Sequence, residues 1–296
     1  MLNKQIYPLL IIGLIAISTS PVIAKLLPYV PATVIAFWRM AIASAALWIY
    51  SAFFSYSSTK YNNTRLVYLA GASLAMHFIF WFGALKLTSI ANTTVLGIVA
   101  PGFTLLIEKL VYGKKINAFS ALSLIIIFIG CIIVQGSDLG RFSGEGLGNL
   151  MAIISAVFLG VVFLIGSKVR QDSGVLTYTK NLFTVSAVVL LFCSLLLNNP
   201  IFNYSIDNYF WLGMLGIVPT LIGHTIFSYS IKYVSPTIIA SIPLGEPIIA
   251  SILAFVLFNE GISSHVFIGG VVIAVGLILL IKNNIFNVKI FMFILF

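Results

Sequence analysis

The sequence predicts an all-α integral membrane protein of about ten transmembrane helices, arranged as two inverted five-helix repeats. Three observations predict this. Only 8% of the 296 residues are charged and 60% are hydrophobic, where a soluble domain would carry about a quarter charged residues. Apolar runs of about 18 to 24 residues recur from the first ten residues to residue 282, and each is long enough to cross a hydrocarbon core about 30 Å thick. The two halves of the chain also match each other in register.

Taken in order, the runs place helices at 6–27, 31–54, 65–87, 90–112 and 119–135, then at 146–168, 175–197, 208–232, 236–258 and 265–282. Turn formers and charges gather between them, at Pro28 and Pro31, Ser57 to Arg65, Gly113 to Asn117, Gly136 to Gly146, Gln171 to Gly174 and Asn198 to Asn208. The first run follows Lys4 as a secretory signal would, but it is longer than a signal core and leads into further spans, so it reads as an uncleaved first helix. Residues 6–135 and 146–282 form the two repeats. Residues 283–296 are left as a short apolar tail, too short to span and divided by Lys289, which suits an interfacial or poorly ordered segment. Cys131 and Cys193 both fall inside apolar runs, which implies neither a disulfide framework nor a metal cluster. No cofactor is expected.

The net charge of +9 is spread unevenly. With a cytoplasmic N-terminus, the inside loops and helix ends collect Lys4, Lys60, Arg65, Lys109, Lys114, Lys115, Lys168, Arg170, Lys232, Lys282 and Lys289, against Lys25, Lys86 and Arg141 outside. This positive-inside bias places both termini in the cytoplasm and accounts for most of the charge without nucleic acid as a partner. The partners expected are the lipid bilayer and a small-molecule substrate.

A shift of about 146 positions lays Ala84-Leu85-Lys86-Leu87-Thr88-Ser89 on Ser230-Ile231-Lys232-Tyr233-Val234-Ser235. Without a gap, the same shift puts Pro101 on Pro247, Gly113 on Asn259, Ile116 on Ile262 and Gly130 on Gly276. A weaker match, at about 141 positions, sets Arg39 against Lys180. Because five is odd, the second half must enter the membrane from the opposite side. Inverted halves are the architecture in which exchanging two conformations gives alternating access, although duplication also makes a stable bundle.

Five ionisable residues lie inside apolar runs: Arg39, His77, Lys180, His224 and Glu246. A charge near the bilayer centre costs about 2.5–3.5 kcal/mol on insertion scales, so each must be paired or face a cavity. Glu246 sits in Ile242-Pro243-Leu244-Gly245-Glu246-Pro247, where prolines predict a kinked or unwound helix, and Pro101-Gly102 is the matching place in the first half. Paired breaks of this kind point to a central binding site. Glu246 either binds substrate or a coupling proton, or ties down the kink through free amides, Arg39 or Lys180. His77 shares a helical face with Ser73, Phe80, Trp81 and Ala84, and His224 with Thr220, Phe227 and Ser228. These faces suit a polar organic solute, or each histidine simply bonds a neighbouring helix. Arg39 can neutralise a substrate carboxylate or snorkel to an end, and Lys180 is nearer still to its end. The small residues Ala152, Ala156 and Gly160, and Gly270 with Ala274, permit close helix approach within the chain or between two copies in a homodimer.

At this point the chain resembles the drug/metabolite transporter superfamily, specifically its EamA type. The resemblance rests on Gly223-His224-Thr225-Ile226-Phe227, Ser230-Ile231-Lys232-Tyr233-Val234-Ser235, Gly245-Glu246-Pro247 and Phe258-Asn259-Glu260, with Ala84-Leu85-Lys86, Pro101 and Tyr112-Gly113-Lys114 as the earlier counterpart. It implies a ten-helix carrier with cytoplasmic termini that moves amino acids, other metabolites or drug-like solutes across a bacterial inner membrane. The first half has Ala100 where the second has Glu246, so any acidic role is one-sided. No Gly-x-x-x-x-Gly-Lys-Ser/Thr loop, His-Glu-x-x-His motif or nucleophile–base set is present, which argues for a secondary permease and against an enzyme. A non-transporting scaffold or chaperone is the competing reading.

Overall fold

The computed structural model of the chain describes residues 2–54, 63–88, 90–114, 117–135, 146–258 and 264–295. Side chains are described within these except for residues 2–5, 90–92, 135, 254, 257–258 and 283–295. Lys60, Ser89, Lys115, Ile116, Arg141, Asn259, Glu260 and Ile262 lie outside the described residues, as do the side chains of Lys4 and Lys289. Every regular element in this range is helical. The first five spans are α1 (Leu2–Lys25), α2 (Ala32–Phe53), α3 (Thr64–Leu87), the pair α4 (Ile90–Leu96) and α5 (Val99–Leu110), and α6 (Ala118–Gln135). The second five are α7 (Gly146–Asp172), α8 (Val175–Leu196), α9 (Ile206–Leu215) running through a π-helical turn (Gly216–His224) into α10 (Thr225–Ser230), α11 (Pro236–Ser241) continued by a 3-10 turn (Ile242–Gly245) and α12 (Glu246–Phe258), and α13 (Ser264–Leu295). Among the described residues nine spans are long and apolar enough to cross a membrane, and the helix over Ala118–Val134 falls just short. The backbone of α13 stays helical to Leu295, past the expected end at 282, because no proline or glycine interrupts 283–295.

Packing follows the order of the spans. The third span lies on the sixth (α3 on α7), as the first lies on the eighth (α1 on the π-helical turn and α10). The fourth lies on the sixth (α5 on α7), as the ninth lies on the first (α12 on α1). Three further pairs join α2 with α8, α5 with α11, and α6 with α13. The last pair touches backbone to backbone, since a Cβ added at Gly130 would sit 2.8 Å from the amide of Ile273 and one at Gly269 would sit 2.6 Å from the carbonyl of Gly130. Ala152 and Ala156 line an internal cavity, Gly160 abuts Phe103, and Gly270 abuts Ile248, so these small-residue stripes are used within the chain.

Two spans break near mid-length, and one of the breaks is displaced from its expected place. In the ninth, the 3-10 turn Ile242–Gly245 contains Pro243, and the α-helix resumes at Glu246 with Pro247 in its first turn. In the fourth, the break falls at Gly97–Ile98, not at Pro101-Gly102. Proline cannot donate to the carbonyl four residues earlier, so Pro101 leaves Gly97 O without its α-helical partner; the chain ends α4 at Leu96 and restarts with Pro101 in the first turn of α5, where no amide is needed. Gly97 O accepts instead from Ala100 N at 3.0 Å. The shift of about 146 positions that sets Pro101 on Pro247 also sets Gly97 on Pro243, so the two breaks correspond.

Candidate functional site

Between the two breaks lies a cavity of about 70 Å³. Its wall is drawn from Ser20 on α1, Arg39 on α2, His77, Phe78 and Trp81 on α3, Thr93, Thr94 and Gly97 at the first break, Ser155 on α7, His224 and Phe227 on the eighth span, and Pro243 and Glu246 at the second break. Five of the residues singled out from sequence, Arg39, His77, Trp81, His224 and Glu246, therefore meet at one place, with Pro243 beside them.

Arg39 does not snorkel. Its side chain is 1% exposed, with Nε donating to Thr220 Oγ1 at 2.6 Å, Nη1 donating to Ser20 Oγ at 2.8 Å, and Cζ lying 4.1 Å above the Phe78 ring. Neutral hydroxyls and an aromatic face hold the guanidinium in place without cancelling its charge. Pro219 explains the Thr220 contact. It has no amide to give Leu215 O, so the helix widens into the π turn and Thr220 Oγ1 donates to that carbonyl at 2.9 Å. The single hydroxyl proton is then committed, and the oxygen can only accept from Arg39.

His77 is fixed from α7. Its Nδ1 lies 3.0 Å from Ser155 O and 2.8 Å from Ser155 Oγ, and Ser155 Oγ donates to His77 O at 3.0 Å. A carbonyl can only accept, which assigns the proton to Nδ1 and leaves Nε2 as an acceptor. His224 is half-buried, with its ring centroid 5.4 Å from that of Phe78 and 6.2 Å from that of Phe227. Glu246 is 7% exposed, and its Oε1 has no hydrogen-bond partner among the described residues. A buried carboxylate oxygen left in this way is costly unless something else supplies the donor.

Lys180 stands apart from this group. Its Nζ donates to Ser51 Oγ at 3.3 Å and lies 4.0 Å from the Trp48 ring, at the shared end of α2 and α8. Pro101 and Pro247 shape the half-helices without lining the cavity. Sequence reasoning misses Pro219, Ser20, Ser155 and Glu108. The first carries the same helix-breaking signal as Pro243 and was legible; the serines carry none. Among the described residues no group of three or more His, Cys, Asp or Glu is placed to hold a metal ion.

The EamA-like transporter family model matches residues 5–135 and again residues 146–282. The chain belongs to the EamA-like transporter family. Relatives include the uncharacterized transporter YxxF of Bacillus subtilis, 25% identical over 62% of this chain and 58% of the relative. An uncharacterized transporter of Clostridium kluyveri is 25% identical over 76% of this chain and 75% of its own length. The chain thus spans under two thirds of the Bacillus relative. A solved crystal structure superposes with a TM-score of 0.79 over 94% of this chain and 97% of its own, at 17% identity, which shows a shared fold. The chain is thus a multi-pass membrane protein in which two buried charged groups, Arg39 and Glu246, line one cavity at the helix breaks.

Proposed function

We propose that this EamA-like protein is a secondary transporter that carries a small organic metabolite, of the size and polarity of an amino acid, across a bacterial inner membrane by alternating access. One observation carries the reading. Arg39 and Glu246 line the same cavity, yet the guanidinium is bonded to Ser20 and Thr220 and the carboxylate Oε1 has no hydrogen-bond partner among the described residues. Opposite charges held apart in a low-dielectric site are stabilised by a solute that brings both a carboxylate and a cationic or donor group. His77 Nε2 and His224 offer further polar contacts, and Trp81, Phe78 and Phe227 offer apolar wall.

The span pairings support an inverted repeat, since α3 on α7 and α1 on the eighth span exchange under the same swap that maps α5–α7 onto α12–α1. Among the described residues Glu246 is the one acidic group of the cavity wall, and so the group that would carry a coupling proton when no solute is bound. The lysine and arginine distribution favours cytoplasmic termini. The small-residue stripes are occupied within one chain, so the reading does not require a second copy. The test is solute counterflow in proteoliposomes comparing the native protein with Glu246→Gln. Slowed flux in the variant supports the assignment, and equal flux removes Glu246 from the mechanism.

A further inference from the structure

We infer that Glu108 is a gating residue that bolts α5 to α11 and holds one end of the transport path shut, an end-specific role that the opposite end of the molecule has no residues to copy. Glu108 is 4% exposed at the last turn of α5. Its Oε1 meets Lys114 Nζ at 2.6 Å, and its Oε2 accepts from Thr237 Oγ1 at 2.5 Å and lies 3.4 Å from the Thr237 amide. One turn earlier on the same helix, the Thr104 hydroxyl is shared between Pro101 O at 3.0 Å and Thr237 Oγ1 at 3.2 Å. Thr104 and Glu108 belong to the first half of the chain and Thr237 to the second, so the bonds to Thr237 cross between the halves. Charge-assisted bonds in a buried setting are the strong ones.

The bolt sits beside the cavity and on the same broken helix as Glu246. Thr237 opens α11, Ala240 one turn on lines the cavity, and the 3-10 turn then delivers Glu246. Movement of α11 relative to α5 therefore has to break the Thr237 bonds.

The register of the two halves shows that the bolt is one-sided. The shift of about 146 positions sets Thr104 on Ala250, Glu108 on Ala254 and Thr237 on Ala91. Alanine has neither hydroxyl nor carboxylate, so the sequence at the opposite end cannot form the same bonds. Two further spaces outside the central cavity differ in size, although neither is lined by α5 or α11. At the end bearing Lys25 and Lys86 a pocket of about 270 Å³ is bounded by Pro21 and Phe82, whereas at the end bearing Ser228 and Ile231 the space beside His224 is about 10 Å³.

This inference rests on the transport reading, but its test needs no solute and so fails separately. The readout is labelling by a membrane-impermeant maleimide, in a background with Cys131→Ser and Cys193→Ser, of a reporter Ile231→Cys on the closed side and Leu85→Cys on the open side. Glu108→Gln and Thr237→Val should each raise Ile231→Cys labelling by at least about tenfold and lower that of Leu85→Cys, as expected of a two-state shift. Thr237→Ser, which keeps the hydroxyl, should label like the native protein. Unchanged Ile231→Cys labelling in whichever of Glu108→Gln and Thr237→Val elutes as a monodisperse protein overturns the inference.

Discussion

Arg39 on α2 donates to the hydroxyl of Thr220 at 2.6 Å, across 181 positions of sequence, and the bond exists because Pro219 beside it has no amide proton. The missing amide turns Thr220 toward Leu215 O at 2.9 Å and leaves its lone pairs facing the guanidinium. A helix fault in the second half thus orients the cation contributed by the first.

Thr220→Val keeps the shape and removes the acceptor. The expected cost is about 1–3 kcal/mol of stability, as for any buried donor left without its partner. Michaelis constants from liposome flux should rise while the maximal rate changes less, and Thr220→Ser should restore both. An unchanged Michaelis constant in a folded Thr220→Val protein would sever Thr220 from Arg39's role.

Pro219→Ala gives the amide back. The α-type bond from residue 219 to Leu215 O then becomes available, the π turn relaxes toward α-helix, and Thr220 rotates away from Arg39. The expected result is a denaturation midpoint equal to or above the native one together with slower transport. Native transport rates in this variant would show that the π turn is incidental to function.

Gly130→Leu tests the fold apart from the site. A side chain there meets the amide of Ile273 at 2.8 Å and the carbonyl of Gly269 at 2.9 Å, which are backbone atoms that cannot rotate aside. Overpacking of this kind costs about 1–3 kcal/mol or more. Thermal denaturation in detergent should show the loss, with an unaltered Michaelis constant in the protein that remains folded.

Much of this was legible in the sequence because lipid imposes so strong a pattern. The all-helical membrane fold and its nine to ten spans follow from hydropathy, and the rarity of charge in apolar runs singled out Arg39, His77, His224 and Glu246, which the fold places on one cavity wall. Distance along a helix was the weaker guide. Arg39 lies near enough to its helix end to suggest snorkelling, but what buries it are Ser20, Phe78 and Thr220 from three other spans, which hydropathy does not register. Pro101 marked the fourth span as broken and misplaced the fault by one turn, because a proline disrupts the carbonyl four residues before it and not its own position. Glu108 was hidden by its place next to Lys109 and close to a loop; only the fold brings Thr237 to it.

The central claim is that the cavity carries a solute between Arg39 and Glu246. Liposomes containing the native protein, the Arg39→Gln/Glu246→Gln double variant or no protein are loaded with a metabolite extract, and their contents are followed by mass spectrometry. The account predicts that the native protein alone depletes the lumen of at least one small solute bearing both a carboxylate and an amine. Equal retention of every solute in all three preparations, or equal loss through the native and double-variant proteins, would contradict it.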